Sequence, residues 1–455
     1  MYAGQSCGRH YGGEFVLKKL LARLKPNIRG SKANTSQKPD KLTGKLKTDE
    51  QLLRNLYKDC DDVKYKKVVV PAMGMRQALI LYVEGLVDSS TLNRDIVSKL
   101  LEVKQQNEQV RHIADLLAVG ESSTFTRIGE FANDILQGKV AIILDGYAEV
   151  TMIDTKNWPS RGIEEPIQER LIRGPREGFT EVIQMSLALI RRRLPDPNLK
   201  VHCREVGRRS RTKIAVAYIE DVCNLDTVEE IKERLAAIDI DGILDPGATA
   251  ELITERTITP FPLFLSTERP DKVVGGLLQG KIAIIADGSP FVLLAPVTAA
   301  DFFQLPEDYY MHSIYGTLAR MMRFIGIILG TTATAAYTAV VSYHYEMIPQ
   351  GIIVFIAETR QAVPFSPITE ALLLEGAVEL LREASIRLPG PIGPTLSIVG
   401  ALILGQAAVD AQLVSPVLLI VVATSFLAGS SIPNYEASLA IRFLRFPLLV
   451  MAGYL

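Results

Sequence analysis

Cysteine, histidine and tryptophan are scarce in this chain, and each shortage removes a class of function. The four cysteines, Cys7, Cys60, Cys203 and Cys223, stand far apart with no Cys-x-x-Cys pair. That spacing excludes a disulfide framework and fits a reducing compartment. Five histidines, His10, His112, His202, His312 and His344, are dispersed, with no His-Glu-x-x-His pair and no acid at ligand spacing, so a metal site has no support. The single tryptophan, Trp158, precedes Pro159 in a connecting stretch, and no Gly-x-Ser-x-Gly elbow occurs. The stretch GRRSRTK at 207–213 lacks the second glycine that a phosphate loop places before its lysine, and its strand follows where it should precede. Neither a catalytic apparatus nor a cofactor site is expected. A formal net charge of −1 excludes the broad basic field that would draw nucleic acid.

What is present is division and repetition. At 455 residues the chain exceeds one domain, so two or three packed units are expected. Residues 1–55 read as a basic disordered arm, with Lys18, Lys19, Arg23, Lys25 and Arg29 among few acids and no apolar run of the length a secretory signal needs. Further on, ILQGKVAIILDGYAEV at 135–150 returns as LLQGKIAIIADGSPFV at 277–292. In each copy a β-favouring run enters Asp-Gly, so Asp145-Gly146 and Asp287-Gly288 read as two-residue hairpin turns between buried strands. Upstream, ALILYVEGLVD at 78–88 resembles IAVAYIEDVCN at 214–224. Helical spacing follows each, over 91–103 and 227–238. The fold class expected is α/β, or mixed α+β with mixed sheets, in two related units at 56–160 and 211–310.

Between them, 161–210 reads as a helical connector. Gly174-Pro175 should break its helix and leave a second one over 177–193, with Arg191, Arg192 and Arg193 in the last turn, facing the negative end of the helix dipole. Arg173, Arg176 and Glu177 flank that break. A capped junction with an Arg-Glu pair ranks ahead of a subunit or anion contact by these residues.

Residues 311–455 read as an all-α, multi-span membrane domain. The run 324–342 is uncharged and long enough to span, and Arg320 and Arg323 before it hold its start in the cytoplasm. Further apolar runs lie at 392–409, 417–432 and 437–455, the last stopping short. The run 348–357 is shorter still and suits a re-entrant or tilted element. Ser397, Ala401 and Gly405 recur every fourth position and form a stripe for close helix packing. Asp410 at the end of that run reads as a solvated loop acid. An amphipathic helix over 368–388 puts Glu375, Glu379, Arg382 and Glu383 on one charged face, expected to meet water. Lying flat at the membrane surface ranks ahead of lining an aqueous path, in which Glu375 and Glu379 would form an acidic ring.

These residues together resemble the A-subunit family of GerA-type spore germination receptors, over nearly everything from Cys60 to Val450. The likeness rests on GLVD at Gly85, WPSRGIEEPIQERLIRGPREGFTE at Trp158, RRRL at Arg191, STERPD at Ser266, DGSPFVLLAP at Asp287 and EDYY at Glu307. It continues through HYEMIP at His344, VPF at Val363, LLREASIRLP at Leu380 and SIVGALILGQAAV at Ser397. The resemblance implies an integral protein of the spore inner membrane with a cytoplasmic N-terminal part. It further implies a homo-oligomer that works with a transporter-like B subunit and a lipoprotein C subunit, and that forms or gates an ion-release conduit when nutrients arrive. Family members usually continue past the position of Leu455, so the membrane domain is expected to be C-terminally incomplete. The competing readings are a regulated secondary transporter, which would be expected to repeat its membrane part and not its soluble part, and a membrane enzyme, for which no nucleophile constellation is seen.

Overall fold

A computed structural model describes residues 41–102, 113, 117, 122–155, 165–166, 169, 171–254, 259–387, 400 and 403–454. Cys7, His10, His112, Trp158, Ser397 and Ala401 lie outside the described residues. Residues 42–455 form one compact unit.

The first half of the repeat is α1 (Leu46–Leu56), β1 (Val63–Val70), β2 (Arg76–Val83), a helical stretch over Ser89–Glu102, β3 (Ser122–Phe125), α2 (Ile128–Leu136), β4 (Lys139–Leu144) and β5 (Val150–Asp154). The second opens on α3 (Ile183–Arg193) and runs through β6 (Leu199–Val206), β7 (Thr212–Ile219), α4 (Leu225–Ala237) and α5 (Pro246–Ile253). It closes on β8 (Leu265–Thr267), α6 (Pro270–Leu278), β9 (Ile282–Ala286) and β10 (Val292–Ala295). The two sheets have the same strand order, β1-β2-β4-β5-β3 and β6-β7-β9-β10-β8. The duplication therefore extends through the whole topology of each half.

The expectation of mixed sheets is corrected, because every pairing between these strands is antiparallel. Strands apolar on both faces mark sheets covered on both sides. The physical reason for the pattern is that helices cover both faces of each sheet. In β2, Leu79 and Leu81 enter the core shared with α1 and α2, while Ala78 and Ile80 enter the core under the helical stretch at 89–102. In β7, Ala215 and Ala217 face α3 and α6, and Ile214 and Val216 face α4 and α5. The period of two puts neighbours on opposite faces, and both faces are dry.

Three further expectations shift. Leu46 and Leu53 are buried against β2 and α2, so α1 belongs to the first sheet unit and not to a disordered arm reaching residue 55. The helix expected over 177–193 starts at Ile183, because Phe179 is buried and its backbone N–H donates to the Glu268 carbonyl (2.8 Å). The hairpins exist, with Ile143 opposite Val150 and Ile285 opposite Val292, but five residues, 145–149 and 287–291, separate the strands.

Those longer loops give the aspartates another task. The Leu46 N–H donates to Asp145 Oδ1 (3.1 Å) and the Ile183 N–H to Asp287 Oδ1 (3.0 Å), so each caps the first residue of a helix. Gly146 (φ +89°) and Gly288 (φ +90°) sit in the left-handed region and donate to the Gly44 and Glu181 carbonyls. Asp145→Ala and Asp287→Ala should each lose about 1 kcal/mol, as a lost helix cap does. Thermal unfolding of the solubilised full chain is the check, and unequal losses would break the equivalence of the two halves.

The helical part comprises α7 (Ser313–Tyr343), α8 (Gln350–Arg360), α9 (Pro367–Arg387), a helix over 403–410, α10 (Pro416–Gly429) and α11 (Tyr435–Tyr454). Among the described residues, α7 and α11 are long and apolar enough to cross a membrane, with 31 and 20 residues. At 1.5 Å per residue even α11 spans about 30 Å. With 14 residues, α10 spans only about 21 Å. The expected run at 392–409 lies largely outside the described residues.

Candidate functional site

The structure concentrates buried charge at three places, and the first is the seam between the two sheet units. The backbone at 59–61 runs along the edge strand β6, with Asp61 N–H donating to the Val201 carbonyl and Val201 N–H to that of Asp59 (both 2.9 Å). Arg191 closes the seam, with Nε and Nη2 donating to Asp62 (2.7 and 3.0 Å) and Nη1 to the Asp196 carbonyl (2.9 Å). Both side chains are at most 2 % exposed. Burial opposes the Arg191 charge, but Asp62 more than offsets this and leaves its pKa raised. The basic triplet is therefore not three dipole-facing charges: its first member is an internal staple.

The second place lies where the sheet part meets the helical part. Arg269, 1 % exposed, donates to the Glu169 carbonyl (3.2 Å), the Pro175 carbonyl (2.9 Å) and Asp271 (2.9 Å). Tyr310 donates to the same Asp271 oxygen (2.7 Å). The Gly174-Pro175 break is thus tied to both α6 and the turn at Glu307–Tyr310. Asp308, 4 % exposed, then receives both terminal nitrogens of Arg323 (2.6 and 2.7 Å), with Arg320 at 3.5 Å. The two arginines before the long apolar run are accordingly a clamp on the start of α7. Burial alone would raise the Asp308 pKa. Its bonds to Arg323 and to the Leu305 N–H prevail and hold it below the ordinary 3.8. A depressed carboxylate stabilises the folded state above its unfolded pKa, and that contribution fades as pH falls through the lowered value. The clamp is complete at neutral pH.

Of the residues singled out at the Gly-Pro break, Glu177 pairs within the chain, with Arg193 (2.6 Å) and Arg192. Burial raises its pKa, but the two arginines prevail and leave it lowered. Arg173 and Arg176 are exposed, Arg176 lying 3.9 Å from Glu165.

The third place is the interior of the helical part. Glu370, fully buried, pairs with Arg360 (2.8 Å) and accepts from the Ser415 N–H. Glu375, 2 % exposed, receives Arg445 (2.7 Å) and the Thr334 hydroxyl (2.7 Å), and Arg445 also donates to the Gly330 carbonyl (2.8 Å). Glu379 pairs with Arg442. Arg382 donates to Ser430 (3.2 Å) and lies 4.3 Å from the Phe426 ring centre, while Glu383 pairs with Arg387 on the surface. The expected wet face is corrected for Glu375, which meets α7 and α11. On the same helix Leu373 and Leu380 are 53 % and 74 % exposed. The tight helix approach is at Gly326 and Gly330, where a Cβ on Gly330 would meet Gly429 N at 2.8 Å. The Gly-x-x-x-Gly spacing was readable there. Gly405, the described member of the expected stripe, faces Leu419 at ordinary contact distance. Asp410 is exposed and accepts from Gln406 (3.2 Å).

A duplicated sheet body clamped through a buried ion pair to an apolar, charge-stapled helical bundle defines the class of protein. The chain belongs to the GerA family: the profile described as Bacillus/Clostridium GerA spore germination protein matches residues 51–455. It is 37% identical over 395 residues to Spore germination protein KA of Bacillus subtilis (strain 168), covering 86% of this chain and 73% of that one. To Spore germination protein GerLA of Bacillus cereus it is 38% identical over 395 residues, covering 86% and 80%. Among solved structures it is similar to the N-terminal domain of the A subunit of the Bacillus megaterium spore germinant receptor GerK3, at 30% identity and a TM-score of 0.45, covering 57% of this chain and 97% of that one.

Proposed function

We propose that the chain is the A-type membrane subunit of a nutrient germinant receptor in the spore inner membrane. In this reading the sheet units face the cytoplasm, α7 and α11 cross the bilayer, and the remaining helices complete a multi-span domain. The subunit acts as a homo-oligomer with a transporter-like B subunit and a lipoprotein C subunit, and exposed Arg173 and Arg176 are offered as subunit contacts. Its task is to form or gate the path by which ions leave the spore.

The observation that carries this reading is the clamp of Asp308 on Arg323. A change in the sheet body pulls on the start of α7 directly, and α7 delivers it to Thr334, Glu375 and Arg445. Glu379, with its side chain 39% exposed, is the member of the proposed acidic pair still able to meet water. Deleting the gene tests the reading: nutrient-triggered germination should fall while solute uptake by growing cells is unchanged. Lost uptake with normal germination would favour a transporter.

A further inference from the structure

Beside α9, α10, α11 and the helix at 403–410 runs a groove of about 970 Å³. Its wall is apolar, with Leu373, Leu381, Leu404, Leu419 and Leu427 among its lining. The charged side chains among its described lining residues are Arg382 and Arg442. No described carboxylate lies within ion-pair distance of Arg382, whose partners are the Ser430 hydroxyl and the Phe426 ring. Arg442 is 6 % exposed, and although it meets Glu379, its Nε is buried without a hydrogen-bond partner.

The groove has a polar end and an apolar end. Helices α9 and α10 run parallel, since Glu370 meets Ser415 at their starts and Arg382 meets Ser430 at their ends. Both arginines, Ser430 and Tyr435 therefore gather where α10 ends and α11 begins. That end lies toward the sheet body, because Ile432, Ala437 and Ile441 share a core with Phe179 and Phe302. From Ser430 back to Leu419 the wall is about 16 Å long at 1.5 Å per residue, close to half of the roughly 30 Å hydrocarbon core, which is one leaflet.

We propose that this groove binds an anionic phospholipid of the leaflet nearest the sheet body, with its phosphate at Arg382 and Arg442 and an acyl chain along Leu381, Phe426 and Leu419. The inference rests on the membrane reading above. The half-buried Arg382 guanidinium, with a hydroxyl and a ring but no carboxylate as partners, favours a phosphate, and the apolar wall favours hydrocarbon over water. The wall alone would accept any lipid. The arginine end confers the choice of headgroup.

The test uses the full chain. Carbonate-washed membranes are first assayed for the protein. It is then purified, exposed to equal phosphatidylglycerol and phosphatidylcholine, washed in detergent, and the retained lipid quantified. Phosphatidylglycerol should be retained about fivefold over phosphatidylcholine, whose choline cation neutralises its phosphate, the preference expected of one arginine facing a lipid of net negative charge. Arg382→Gln should bring the ratio near one, and Arg382→Lys should restore most of it. Leu404→Trp, which fills the wall and leaves both arginines, should lower retention of both lipids. A carbonate-resistant protein with no headgroup preference would overturn this inference alone, and recovery in the aqueous fraction would overturn the membrane reading as well. Displacement of the lipid by inorganic phosphate would reassign the site to a free anion. Cross-linking between Leu427→Cys copies that persists at saturating phosphatidylglycerol would put a second copy in the groove.

Discussion

Arg445→Ala is expected to destabilise the chain by about 3–5 kcal/mol, the cost of breaking a buried pair and leaving one charge behind. Glu375, 2 % exposed in the intact protein, would keep only the Thr334 hydroxyl, and the Gly330 carbonyl, where α7 packs on α10, would lose one of its two side-chain donors and keep the Ser425 hydroxyl. The milder Glu375→Gln keeps the shape and removes the charge, but then strands Arg445. Replacing both partners by apolar residues, Glu375→Leu with Arg445→Met, should recover most of the loss, because neither charge is then desolvated. Membrane abundance and thermal unfolding in detergent read the effect. A wild-type Arg445→Ala protein would mean that the pair does not hold α9 to α11.

The second large effect is expected at the seam of the sheet units. Arg191→Ala removes three donated hydrogen bonds and leaves Asp62 buried, again a loss of about 3–5 kcal/mol. Cys60 reports it locally. The residue is 6 % exposed, and burial pushes its thiol pKa up, so it should react slowly in the native protein. Once the seam opens, a thiol reagent should reach Cys60 many times faster, with labelling assigned by peptide mass to separate it from exposed Cys203. Unchanged Cys60 labelling in Arg191→Ala would show that the edge pairing at 59–61 holds the units together without the staple.

The sequence made one half of each repeat plain and hid the other. Strands β4 and β9 and their Asp-Gly loops are nearly the same string, because a central strand buried on both faces tolerates only a few residue types. The opening helices LKTDEQLLRNL and IQMSLALIRRR occupy equivalent places yet share almost no letters, since a helix needs only an apolar stripe matched to its own sheet. Reading α3 as a connector followed from that.

The charged bundle was misread for a related reason. Helical spacing places Glu375 with Glu379 and Arg382 on one face, but spacing cannot say whether that face meets water or a guanidinium seventy residues later. The motifs were more informative than the wheel. RRRL contains Arg191, STERPD contains Arg269 and Asp271, and EDYY contains Asp308. Their partners in space were not readable, because every pairing depends on the tertiary fold.

The central claim is that the Asp308–Arg323 clamp carries the state of the sheet body into the helices, and nutrient-triggered cation release from spores of a deletion strain tests it most directly. Wild-type protein supplied to that strain should restore release. Asp308→Asn, present in the membrane at wild-type abundance by immunoblot, should restore little, because the Arg323 guanidinium then faces a neutral amide and its charge-paired hold on Asp308 is lost, leaving the Phe303 carbonyl as its other partner. Release at the wild-type rate from Asp308→Asn spores would contradict the account.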